Sequence, residues 1–234
     1  VLFRSYMWIL FAFGSALFAG LTSILAKCGI KNTDSNAATA IRTIIVLIFS
    51  WIMVFLVGAQ HSIGNVSVKT WTFLILSGLA TGASWLCYFR ALQIGDVDKV
   101  VPVDKSSAIL SILLAFIFLH ESISPLKLLC VVLIGVGTYL MITKKGTSSE
   151  NSGKKGWRWF FYALGSAVFA SLTSILGKVG IENIDSNLGT AIRTIVVLIM
   201  AWIVVFVTKK QDSVRTIDHR ELGFICLSGL ATGA

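Results

Sequence analysis

Leu76-Ser77-Gly78-Leu79-Ala80-Thr81-Gly82-Ala83 returns unchanged as Leu227-Ser228-Gly229-Leu230-Ala231-Thr232-Gly233-Ala234. Outward from this octet, residues 6–83 lay onto 157–234 without a gap, with about half of the positions identical, so the text repeats one unit at a fixed spacing. Leu21-Thr22-Ser23-Ile24-Leu25 reappears as Leu172-Thr173-Ser174-Ile175-Leu176. Thr39-Ala40-Ile41-Arg42-Thr43 reappears as Thr190-Ala191-Ile192-Arg193-Thr194. Three parts follow: a first unit over 1–143, a Ser/Gly/Lys linker over 144–156, and a second copy over 157–234.

The repeated unit is written for a bilayer. Hydrophobic residues make up 56% of the chain and charged residues 13%, against roughly 25% charge in soluble domains. Mean hydropathy is +0.84. Apolar runs occupy 8–26, 40–57, 71–92, 100–119 and 126–143, then 159–176, 191–207 and a stretch from Leu222 to the end. Most approach the ~20 residues that cross about 30 Å of hydrocarbon. Barrel strands would be shorter, with polar alternation. The fold class expected is an all-α polytopic membrane protein. The first run is too long for a signal-peptide core and reads as a retained span.

The first unit holds five spans. The second shows two and the start of a third, because a helix from Leu222 to Ala234 is only about 20 Å long; this copy reads as truncated. An odd number of crossings starts the second copy on the opposite side of the membrane, which predicts an inverted-topology repeat of five-helix units. Loop charges drift in the same direction. The loop over 58–70 carries Lys69 as its one fixed positive charge, and its counterpart carries Lys209, Lys210, Arg215 and Arg220. Lys27 and Lys31 correspond to Lys178 and Glu182. The positive-inside bias places the linker, with Lys144, Lys145, Lys154, Lys155 and Arg158, in the cytoplasm, and the first terminus outside. The same bias accounts for the net charge of +9 without nucleic acid as a partner.

Several stretches resemble the EamA-type drug/metabolite transporter superfamily, in particular its short five-span bacterial and archaeal branch. They are Ser15-Ala16-Leu17-Phe18-Ala19, Ser23-Ile24-Leu25-Ala26-Lys27, Ala40-Ile41-Arg42-Thr43, the glycine octet, Ser84-Trp85-Leu86-Cys87-Tyr88-Phe89-Arg90-Ala91-Leu92, KVVPVDKS over 99–106, and Ala115-Phe116-Ile117-Phe118-Leu119 followed by Glu121. The resemblance implies a secondary transporter (permease) for a small metabolite or drug-like solute in the inner membrane. Two departures stand out. His120 occupies the position before Glu121 where relatives carry Gly, and ten-span members are drawn with a cytoplasmic first terminus, opposite to the charge count. A fusion of two adjacent five-span genes would also explain the tandem.

Charge at membrane depth is expensive, so the few charged residues inside runs are the candidate substrate path: Arg42, Arg90, Asp104, Lys105 and Arg193, which repeats Arg42. Pro102 suits a first helical turn, which predicts a helix from about Val100 and brings Asp104 and Lys105 into the edge of the hydrocarbon. Adjacent positions point about 100° apart, so these two are not expected to pair simply with each other. The alternative for the path cations is snorkelling to the headgroups. Trp85 and Tyr88 are placed either to line a cavity or to pack. Gly78 and Gly82, with Gly229 and Gly233, form small-xxx-small faces for helix packing, and Ser15 with Ala19 does likewise in the first span. Cys28, Cys87, Cys130 and Cys226 read as buried small hydrophobes.

An intramembrane enzyme would want HExxH or a nucleophile with its base at one depth. The chain has neither, so no catalytic residue, metal or cofactor is expected. Partners expected are a small-molecule solute and the lipid bilayer, with a homodimer left open. A non-transporting scaffold or accessory subunit is the alternative to a carrier.

Overall fold

The computed structural model describes residues 2–120, 122, 124–143, 157–182 and 184–233. The linker lysines Lys144, Lys145, Lys154 and Lys155, with Glu121 and Ala234, lie outside the described residues.

The first copy comprises α1 (Leu2–Gly29), α2 (Ser35–Val57), a short 3-10 helix (Ala59–Asn65), α3 (Val68–Ile94), α4 (Val97–Lys105), α5 (Ser107–Leu119) and α6 (Pro125–Thr143). The second comprises α7 (Arg158–Ile181), α8 (Ser186–Val207), α9 (Gln211–Arg215) and α10 (His219–Gly233). Nearly all described residues are helical, with no strand among them. Among the described residues, seven segments are long and apolar enough to cross a bilayer, with α4 and α5 together counting as one. Five belong to the first copy, and α7 and α8 to the second. The outer surfaces are apolar: α5 and α6 bury no residue, and Phe118, Leu126 and Tyr139 are exposed. Such a surface is at home in lipid and not in water.

Local chemistry sets the helix starts. The Asp34 carboxylate accepts from Asn36 N at 2.9 Å, and its repeat Asp185 accepts from Asn187 N at 2.8 Å, an N-cap in both copies. Cap and helix therefore lie ahead of the apolar run: α2 starts at Ser35, not near Ala40, and Arg42 sits about two turns inside it. The helix expected from Val100 begins earlier too. Asp96 O accepts from Lys99 N and Val100 N at 3.1 and 2.9 Å, so α4 starts at Val97 and Pro102 lies in its interior. Proline has no N–H to give the preceding turn. Ser106 separates α4 from α5 by a single residue that keeps right-handed helical dihedrals and a helical bond from its N–H to Pro102 O at 3.0 Å, so the span runs on through the junction.

The two copies pack on each other in exchanged pairs. α1 lies along α10 as α7 lies along α3, α3 meets α8 as α10 meets α2, and α2 meets α8. Asp34, ahead of α2, pairs with Lys210, just beyond α8, at 3.8 Å, so α2 and α8 run antiparallel. Small residues make the close approach possible. A Cβ on Gly78 would lie 2.7 Å from Val196 Cβ and one on Gly229 3.1 Å from Ile45 Cβ; on Gly82 it would meet Met200, and on Gly233 Phe49. Each of these neighbours is the repeat of its counterpart. Ser77 Oγ donates to Thr173 O at 3.1 Å and Ser228 Oγ to Thr22 O at 3.3 Å, again a repeated pair.

The cysteines are not core residues. Cys28 and Cys130 are exposed and Cys87 and Cys226 half-buried. A thiol on the outer face of a span meets lipid, which suits it as well as a protein interior does.

Candidate functional site

A cavity of about 270 Å³ opens where the two copies meet. The first copy supplies Ser15, Ala19 and Thr22 from α1, Arg42 from α2, Ser84, Trp85 and Tyr88 from α3, and Asp104, Lys105 and Ser107 from the α4–α5 junction; the second supplies Ala170 from α7 and Thr232 from α10.

Arg42 is 3% exposed. Its guanidinium carbon lies 4.6 Å from the Trp85 ring centroid and 4.9 Å from that of Phe89, within cation–π range. Nη2 donates to Thr232 Oγ1 of the second copy. Nε and Nη1 are covered and have no hydrogen-bond partner. No described carboxylate pairs with it. Arg42 is therefore a buried cation held in place by aromatic faces and one hydroxyl, and it does not snorkel.

Asp104 faces the same cavity from the last turn of α4. Its Oδ1 accepts from Ser166 Oγ of the second copy at 2.6 Å, and Ser84 Oγ donates to Ser166 O at 3.1 Å. Oδ2 lies 3.5 Å from Lys105 Nζ, so these neighbours do pair. Tyr88, buried, donates from its hydroxyl to Ser23 Oγ at 2.7 Å, and Ser23 Oγ donates on to Ala19 O at 2.9 Å.

Of the residues expected along a path, Arg42, Trp85, Tyr88, Asp104 and Lys105 share this cavity. Arg90 and Arg193 do not line it. Arg90, half-buried, donates to Gln93 Oε1 at 2.6 Å, and Gln93 Nε2 reaches Thr33 O at 3.0 Å. Arg193 lies against Gly177, where an added Cβ would sit 2.9 Å from its Nη1. Ser15 and Ala19 belong to the cavity wall and not to a helix seam: Ser15 is exposed and Ala19 half-buried. Ser166, the repeat of Ser15, is fully buried. Sequence reasoning missed Ser166 and Thr232 as cavity partners. The repeat marked both as copies, of Ser15 and Thr81, yet nothing along the chain said which helices of the other copy they would meet.

The model of the EamA-like transporter family matches residues 6–143. The chain belongs to the EamA-like transporter family. It is also similar to a Sinorhizobium protein described as an "uncharacterized transporter in cobO 3'region", 41% identical over 137 residues, which covers 58% of this chain and 97% of that relative. The family match takes in every first-copy residue of the cavity and stops before the linker. With seven apolar segments of crossing length, this EamA-like protein is a multi-pass membrane protein.

Proposed function

We propose that this EamA-like protein is a secondary transporter that moves a small metabolite or drug-like solute across the inner membrane along a path between its two copies. The observation that carries the reading is the cavity itself. Its charged and aromatic side chains come from the first copy, and their hydroxyl partners Ser166 and Thr232 come from the second. A rocking motion of one copy against the other around such a site is how inverted-repeat carriers give alternating access. Inversion is supported by the antiparallel run of α2 and α8 and by the odd span count of the first copy. The volume, about 270 Å³, suits a small solute and not a polymer.

Reconstituted full chain, loaded with a mixture of small organic solutes and diluted into labelled solute, tests this. The expected result is saturable, protein-dependent counterflow that needs no nucleotide. Flux equal to protein-free liposomes for every solute would favour the non-transporting scaffold or accessory subunit.

A further inference from the structure

The geometry points to a small organic monoanion, a monocarboxylate, as the solute class of the cavity, with its carboxylate docked on Arg42. This rests on the transporter reading above and adds the chemistry of what is bound. The cavity is lined by three fixed charges: Arg42, Asp104 and Lys105. Asp104 and Lys105 face each other at 3.5 Å and compensate one another. Arg42 remains with no counter-ion among the described residues. A buried charge is costly unless paired and hydrogen-bonded, and two nitrogens of this guanidinium have no acceptor. Trp85 and Phe89 stabilise the cation through their ring faces, but a π face does not accept the in-plane N–H groups as an oxygen does. One negative charge with acceptor oxygens completes the site, and a second would find no uncompensated positive charge in the lining. The apolar share of the wall, Phe18, Ala19, Phe89, Ala170 and Ala231, suits the carbon skeleton. Nε and Nη1 are covered, so the anion enters by an adjustment of the wall. Trp85, half-buried and stacked on the guanidinium, is positioned to report that adjustment.

The test titrates the purified full chain in detergent with benzoate, acetate, inorganic phosphate and neutral benzamide, following tryptophan emission and heat. Benzoate and acetate are expected to bind and shift the emission. Benzamide is expected to bind roughly tenfold or more weakly, the scale of losing one charge-assisted bond. Arg42→Gln, checked for fold by circular dichroism and gel filtration, is expected to lose carboxylate binding by a similar factor. Equal binding of benzoate and benzamide, no carboxylate binding at all, or unchanged binding by folded Arg42→Gln would each overturn the assignment. If Arg42→Gln does not fold, the benzoate–benzamide contrast on the unaltered chain decides alone. Competition with benzoate by phosphatidylglycerol in mixed micelles, as strong as competition by acetate, would make the anion a lipid headgroup and sink the solute assignment. Counterflow of benzamide without benzoate would leave the transporter standing and remove the monoanion. Benzoate binding without flux of any solute would do the reverse.

Discussion

Gly78 presses its backbone against the main chain of Arg193: a Cβ there would lie 2.9 Å from the Arg193 carbonyl oxygen and 2.7 Å from Val196 Cβ. Its repeat, Gly229, stands 3.1 Å by the same measure from the carbonyl oxygen of Arg42. The helix that carries each arginine is thus held at glycine distance from the opposite copy.

Gly78→Ala is expected to destabilise the protein by about 1–3 kcal/mol, since a helix backbone cannot step aside for a methyl group. Gly14 is the control. Nothing lies within 4 Å of a Cβ there, so Gly14→Ala is expected to be neutral or to stabilise by up to about 1 kcal/mol through helix propensity. Thermal unfolding in detergent reads both. Equal midpoints for the two variants would show that the seam is looser than the geometry states.

His120 ends α5 at φ 52°, in the left-handed region. This is the position where the resemblance led us to expect Gly. A side chain costs about 1–2 kcal/mol in this conformation, and glycine adopts it freely as a helix C-terminal cap. His120→Gly is therefore expected to raise the unfolding midpoint, net of roughly 0.5–1 kcal/mol of glycine's own entropy loss. A lower midpoint would mean that the imidazole makes a contact worth more than the strain.

Charge arithmetic in the cavity gives a paired prediction. Lys105→Met leaves Asp104 uncompensated and cancels the net positive charge, so the affinity for a carboxylate docked on Arg42 is expected to fall by up to about 1 kcal/mol, the scale of an exposed charge that makes no direct bond to it. The unfolding midpoint is expected to change little, because the Lys105 side chain is 58% exposed and exposed pairs contribute roughly 0–1 kcal/mol. Asp104→Asn keeps an acceptor for Ser166 Oγ and adds one unit of positive charge, so inorganic phosphate dianion is expected to gain on acetate. Isothermal titration reads both, and a variant pair that left the acetate-to-phosphate ratio unchanged would remove these charges from the site.

Orientation is open to a direct measurement. With cysteines placed by Ser62→Cys and Ser148→Cys in a background lacking the four native thiols, an impermeant maleimide is expected to label position 62 from outside and to spare position 148. The opposite pattern would put the basic linker outside the cell and set the loop charges aside as an orientation signal.

Hydropathy and repetition are properties of the chain read in order, and both were legible without a structure. Apolar runs of crossing length determine helices in a membrane, because an unpaired backbone cannot sit in hydrocarbon. The repeated octet marked two copies, and its small residues marked close helix contacts. What tertiary structure alone decided is clearest in Arg42, which lies over the rings of Trp85 and Phe89 on another helix and donates to Thr232 of the other copy. The pairing of Asp104 with Ser166 likewise joins residues far apart along the chain. Periodicity records which side of a helix is apolar, and not which helix of the other copy will face it. That choice is made by the shape of both surfaces when they pack.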